Sequence, residues 1–91
     1  MDKSLANLDW SLLQSFLAVA EEGSLSAAAR RLGASQPTLG RQIRQVEQQL
    51  GVTLFTRKPR GLQLTDIGAT LLPAAQTMRD AAGQMALAVA G

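Results

Sequence analysis

Guanidinium groups are the main chemistry this chain offers, and they are gathered in its middle. Residues 24–64 hold Arg30, Arg31, Arg41, Arg44, Arg57, Lys58 and Arg60 against one acid, Glu47, a net +6, while the rest carries −4 and the whole chain +2. Arginine forks match phosphate oxygens and the acceptor edge of guanine, so a basic centre between acidic ends is the footprint of a polyanion partner. A merely solvated charged face would give the same count. Other chemistries are poorly served. Cysteine, histidine and tyrosine are absent, which removes disulfides, thiolate metal sites, a cysteine nucleophile and imidazole acid–base catalysis. No paired carboxylates, glycine-rich phosphate loop or metal-ligand spacing stands out. The expectation is no catalytic residue, no metal and no cofactor. Aromatics make up only 3% of the chain, which disfavours base stacking on single strands or RNA.

Short elements must position those cations. Leu12, Leu13, Phe16, Leu17 and Ala20 recur at helical spacing and predict a first helix from Trp10 to Glu22, capped by Asp9 or Asn7 and stopped at Gly23. Trp10 reads as a packing anchor near the dimer seam rather than a stacking platform. Ser24 can cap a second helix whose buried stripe is Leu25, Ala28, Ala29 and Leu32. After the turn at Gly33-Ala34, Ser35 can cap a third helix, with Pro37 in the first turn where a missing N–H is harmless. In that helix, residues 36–50, Leu39, Ile43, Val46 and Leu50 share one arc, and Pro37, Arg41, Arg44, Gln45 and Gln48 lie opposite. One face is core; the other is basic and rich in amides. Val52 to Thr56 and Leu62 to Leu64 read as two short strands joined by a basic hairpin, residues 57–61. The order predicts a mainly α domain with a small two-stranded β wing, a winged helix-turn-helix over residues 1–64. Such a helix fits the major groove of double-stranded DNA.

Thr65-Asp66 then caps a long last helix, residues 65–91, reaching about Val89. Ile67, Leu71, Ala74, Met78, Ala81, Met85 and Ala88 are spaced four and three apart in turn, the seam by which one helix lies along another. The simplest partner is the same helix of a second copy, so a homodimer is expected. Pro73 should kink this helix, and the Ala-rich end from Ala81 could fray. The 91 residues suffice for a modest core, and 46% hydrophobic content argues against disorder. No apolar run reaches membrane-spanning length, and none follows Asp2 and Lys3 as a signal core would. A membrane-free, cytoplasmic protein is the expectation.

Several stretches together resemble the N-terminal domain of LysR-type transcriptional regulators. They are Phe16-Leu17-Ala18-Val19-Ala20-Glu21-Glu22-Gly23-Ser24, Ala27-Ala28-Ala29-Arg30-Arg31-Leu32, Ser35-Gln36-Pro37, Arg41-Gln42-Ile43 and Leu50-Gly51-Val52-Thr53-Leu54-Phe55, with Arg57, Arg60, Leu64-Thr65 and Gly68. The resemblance implies a winged helix-turn-helix that dimerises through its last helix. It also implies an effector-binding domain beyond that helix, which this chain does not contain, so an effector ligand is expected only there. The family usually has serine at the position of Gly40; the missing hydroxyl bears on one base or phosphate contact, Gly40 still counts among the DNA-facing residues, and the helix is softer by up to about 1 kcal/mol.

Candidate DNA contacts follow from both sources. Arg41, facing outward in the first half of the third helix, suits bidentate readout of guanine. Gln36 suits adenine or a phosphate at the helix N-terminus, and Pro37 and Thr38 suit a thymine methyl; Gln36 and Thr38 also make sense as ordinary first-turn residues. Ser35 starts the same helix and joins this group. Arg44 serves either a phosphate or an ion pair with Glu47. By resemblance Ser24 and Ser26 contact backbone phosphate, and Arg57 and Arg60 enter a narrow A·T-rich minor groove. Lys58 either joins them or keeps the hairpin soluble. Arg30 and Arg31 read as a solvated face.

Overall fold

Among the described residues, every helix begins at a side chain that closes an open backbone N–H. The structure, a computed structural model, describes residues 8–91. Asp9 accepts from the Ser11 amide and starts α1, Trp10–Glu22. Ser24 accepts from Ala27 and starts α2, Leu25–Leu32. Ser35 accepts from Thr38 and starts α3, Gln36–Leu50. After strands β1, Phe55–Lys58, and β2, Gly61–Leu64, Thr65 accepts from Gly68 and starts α4, Asp66–Ala90. These caps supply partners that a helix's first turn lacks, which is why Ser, Thr and Asp mark the starts in the sequence. Asn7, the alternative cap of α1, and the charges Asp2 and Lys3 lie outside the described residues.

Two apolar clusters flank α1. Leu12, Leu13, Phe16 and Leu17 meet Val46, Leu54 and Ala75 on one side. On the other, Ala18 and Val19 meet Ala28, Ala29, Leu39 and Ile43, and the small alanines allow close helix approach. Phe55 touches both clusters and tilts against Phe16, ring centroids 5.7 Å apart. One expected core residue is elsewhere: Leu32, the last residue of α2, is 40% exposed. Trp10, at the first turn of α1, is 37% exposed.

The strands pair antiparallel with Phe55 opposite Leu64 and Lys58 opposite Gly61, leaving Pro59 and Arg60 as the turn. The first strand starts later than the Val52–Thr56 run suggests. The Leu54 amide donates to Glu47 Oε2 at 2.8 Å, and the Leu54 carbonyl accepts from Thr65 at 2.9 Å. Both polar backbone groups of Leu54 are thus engaged by the ends of other elements before the ladder begins. The wing is tied back by the Leu62 amide, which donates to the Gly23 carbonyl at 3.0 Å. Gly61, at φ +142°, sits so close to Gly23 that a Cβ there would overlap its carbonyl.

α4 starts in contact with the winged unit. Gly68 and Ala75 are buried, and Leu71 and Leu72 pack on the first cluster. Leu71, half-buried, therefore packs at least partly on the chain's own core. The expected seam residues Ile67, Ala74, Met78, Ala81 and Met85 are exposed. The helix runs unbroken through Pro73 and on to Ala90.

Candidate nucleic-acid interface

α3 presents its polar face because its other face is fixed twice over. Leu39, Ile43 and Val46 are buried, and the hydroxyl of buried Ser15 on α1 donates to Gln42 Oε1 at 2.6 Å. This bond sets the roll of α3 on α1 and leaves Gln36, Pro37, Arg41, Arg44, Gln45 and Gln48 exposed. Only a serine within an otherwise apolar stripe hinted at it. At the start of α3 the hydroxyls form a chain. Ser35 donates to Thr38 Oγ1 at 2.9 Å, and Arg41 Nη2 donates to the same oxygen at 3.3 Å. Thr38 is half-buried and acts as the support of Arg41, a role its first-turn position did not reveal.

The ion pair considered for Arg44 does not form. Glu47 turns its carboxylate to β1, where Oε2 accepts from Leu54 at 2.8 Å and from Phe55 at 3.4 Å. Among the described residues, Arg44 has neither an ion pair nor a side-chain hydrogen bond, and the same holds for Arg30, Arg57, Lys58 and Arg60. Arg31 differs: it contacts Glu21 at 2.9 Å and Glu22 at 3.4 Å.

A trough runs between the helices and the wing. Ser24, Ser26 and Gln36 line one wall, and Arg57, Lys58, Pro59 and Arg60 line the other. Ser24 serves as the α2 cap and stands 3.5 Å, hydroxyl to hydroxyl, from Ser26. A second groove continues alongside α3, past Gly40, Arg44 and Glu47, with Arg57 again on its border. Gly40 leaves open space: an added Cβ would meet only Leu25 Cδ1, at 4.0 Å. The two grooves thus bring Ser24, Ser26, Gln36, Gly40, Arg44, Arg57, Lys58 and Arg60 of the candidate residues together.

A second charge cluster sits away from this surface and carried no sequence signal, because its members are distant in the chain. Glu21 Oε1 accepts from Arg79 at 2.7 Å and from Arg31 at 2.9 Å, while Oε2 accepts from Gln76 at 2.9 Å. The Arg79 hydrogen bond foremost, then those of Gln76 and Arg31, holds the Glu21 carboxyl at about 2, against partial burial that pushes it up. The cluster fastens α2 and α4 to the end of α1.

Residues 10–69 match the family model of the bacterial regulatory helix-turn-helix protein, lysR family. The chain belongs to the lysR family. It is 51% identical over 71 residues to the HTH-type transcriptional regulator ClcR of Pseudomonas putida, covering 78% of this chain and 24% of that relative. The chain thus spans about a quarter of the curated regulator it matches. Its fold is similar to that in the CbnR DBD–DNA complex, with a TM-score of 0.81 and 39% identity, over 92% of this chain and 100% of that one. It is also similar to that in the BenM DBD/benA site 1 DNA complex, with a TM-score of 0.84 and 33% identity, over 90% and 92% of the two chains. The lysR-family chain described here is a winged helix with four helices and a two-stranded antiparallel sheet among its described residues. None of those helices is long and apolar enough to cross a membrane.

Proposed function

We propose that this chain binds double-stranded DNA in a sequence-specific manner, as the DNA-reading part of a transcription regulator. α3 enters the major groove, and the wing reaches the adjoining minor groove. The observation that carries the reading is the placement of Arg41, Arg44, Arg57, Lys58 and Arg60, none in an ion pair among the described residues, around one trough and one helix face. Unneutralised cations gathered in this way suit a phosphate backbone, and Arg41 suits guanine O6 and N7. The similar CbnR and BenM domains occur in complexes with DNA, which supports the same partner.

The chain acts as a homodimer, with Ile67, Ala74, Met78, Ala81 and Met85 of α4 against a second copy. The open apolar stripe of these residues supports this pairing, since such a stripe gains from being covered. Two copies then present two groove helices to an inverted repeat with half-sites about one helical turn apart. No catalytic step is assigned. The setting is the cytoplasm, and an effector ligand acts only through a domain beyond these residues.

Selection of bound duplexes from a random pool tests the reading, together with the salt dependence of the winners' affinity. The expected result is an enriched inverted repeat whose binding falls steeply with salt, by a log–log slope of about −0.9 per neutralised phosphate. A pool that stays random, or binding indifferent to salt, refutes it.

A further inference from the structure

The two wing arginines do not stand in equivalent places. Arg57 lies inside the ladder, opposite Leu62 and two residues from Phe55. Side chains alternate along a strand, so Arg57 is on the sheet face that packs Phe55 and Leu62 against the helices. Arg60 sits beyond the ladder, in the turn. Arg57 accordingly borders both the trough at the wing tip and the groove beside α3, whereas Arg60 borders only the trough.

We propose that Arg57 and Arg44 clasp a single DNA phosphodiester across the bare backbone of Gly40, and that Arg60 alone enters the minor groove. The proposal rests on the duplex-binding reading above and departs from the family resemblance, which treats Arg57 and Arg60 alike. Both clasping guanidinium groups line the groove whose floor includes Gly40, and neither has a side-chain partner among the described residues. The groove's one acid, Glu47, uses Oε2 on the Leu54 and Phe55 amides. Two arginines and one carboxylate leave the groove with one net positive charge, which one phosphodiester neutralises. Arginine is suited to this because its planar fork holds phosphate oxygens in pairs. Gly40 keeps the floor open, with 4.0 Å from an ideal Cβ to the nearest other side-chain atom. Where the family's usual serine would offer a hydroxyl, this chain offers space bordered by two cations.

The test measures affinity against salt for two operator duplexes that differ only in having A·T or G·C flanks. The variants are Arg57→Ala, Arg57→Lys, Arg44→Ala, Arg44→Ala with Arg57→Ala, Arg60→Ala and Gly40→Leu, each checked for native helix content by circular dichroism. Arg57→Ala should weaken both duplexes equally and reduce the salt slope by about 0.9. Its affinity loss between about 50 and about 200 mM salt should therefore be roughly threefold smaller than wild type's. Arg57→Lys should keep the slope. The double variant should bind about as weakly as the worse single one, because the same phosphate is lost in each. Gly40→Leu should fold and bind like Arg57→Ala. Arg60→Ala should abolish the preference for A·T flanks. If Arg57→Ala abolishes that preference, or if the losses from Arg44→Ala and Arg57→Ala simply add, the clasp is overturned while duplex binding stands. If the wild type shows no salt-dependent duplex binding, both fall.

Discussion

Replacing Gly68 with alanine should destabilise the chain, whereas the same replacement at Gly83, in the same helix, should stabilise it. At Gly68 an ideal Cβ lies 2.6 Å from the Leu54 carbonyl oxygen, 2.9 Å from Leu64 Cδ2 and 3.3 Å from Thr65 Oγ1. A comfortable carbon–oxygen approach is about 3.3–3.6 Å, so the overlap is severe. The oxygen cannot retreat freely, because it accepts the Thr65 amide at 2.9 Å and the Leu54 amide is held by Glu47 at 2.8 Å. Overpacking of this kind costs about 1–3 kcal/mol, and straining the Thr65 hydrogen bond adds about 1. Alanine's better helix propensity offsets about 1 kcal/mol of that. The net expectation is a loss of about 1–3 kcal/mol. Around Gly83 nothing lies within 4 Å, so only the propensity gain operates, up to about 1 kcal/mol. Urea melts followed by circular dichroism, at one protein concentration so that any self-association contributes equally to each variant, read both differences. In thermal melts each kcal/mol corresponds to about 4–8 °C in a domain of this size. Two variants shifting in the same direction would refute the argument, since it attributes the opposite signs to local space alone.

Acid should loosen the Glu21 cluster. The carboxyl titrates at about 2 in the folded chain against 4.5 ordinarily, so its stabilisation is complete above pH 4.5 and is lost as pH falls toward 2. Glu21→Gln should flatten the stability–pH curve in that window, and parallel curves for variant and wild type would contradict the assignment. Arg41→Ala should relax base preference at one position per half-site, worth about 1–3 kcal/mol of discrimination in a competition assay. An unchanged preference removes Arg41 from direct readout. Met78 is 51% exposed on the open stripe, so Met78→Glu puts a charge where a second helix would lie. Light scattering should find monomers, and a persisting dimer rules out this seam.

Local signals were legible in the sequence and tertiary ones were not. Ser24, Ser35 and Thr65 announce helices because a cap acts within its own turn. The buried face of α3 is visible because Leu39, Ile43 and Val46 repeat on one arc. A four-three spacing, by contrast, cannot say which side of α4 another part of the chain already occupies. Leu71 obeys the spacing yet packs on its own core, because Gly68 and Ala75 dock that side of the helix. The acids show the limit more sharply. Glu47 is three residues from Arg44, which invites a local pair, but strand amides take its carboxylate from seven and eight residues away. Glu21 finds Arg31 within α2 and Arg79 on a helix 58 residues on. These placements, more than the charge count, decide what a polyanion could meet. The acids hold Arg31 and Arg79 at the α1–α4 junction and leave Arg44 and the wing cations unpaired. Had Glu47 paired with Arg44, that guanidinium would be occupied beside Gly40, so the Leu54 and Phe55 amides that engage Glu47 indirectly leave Arg44 open to a polyanion.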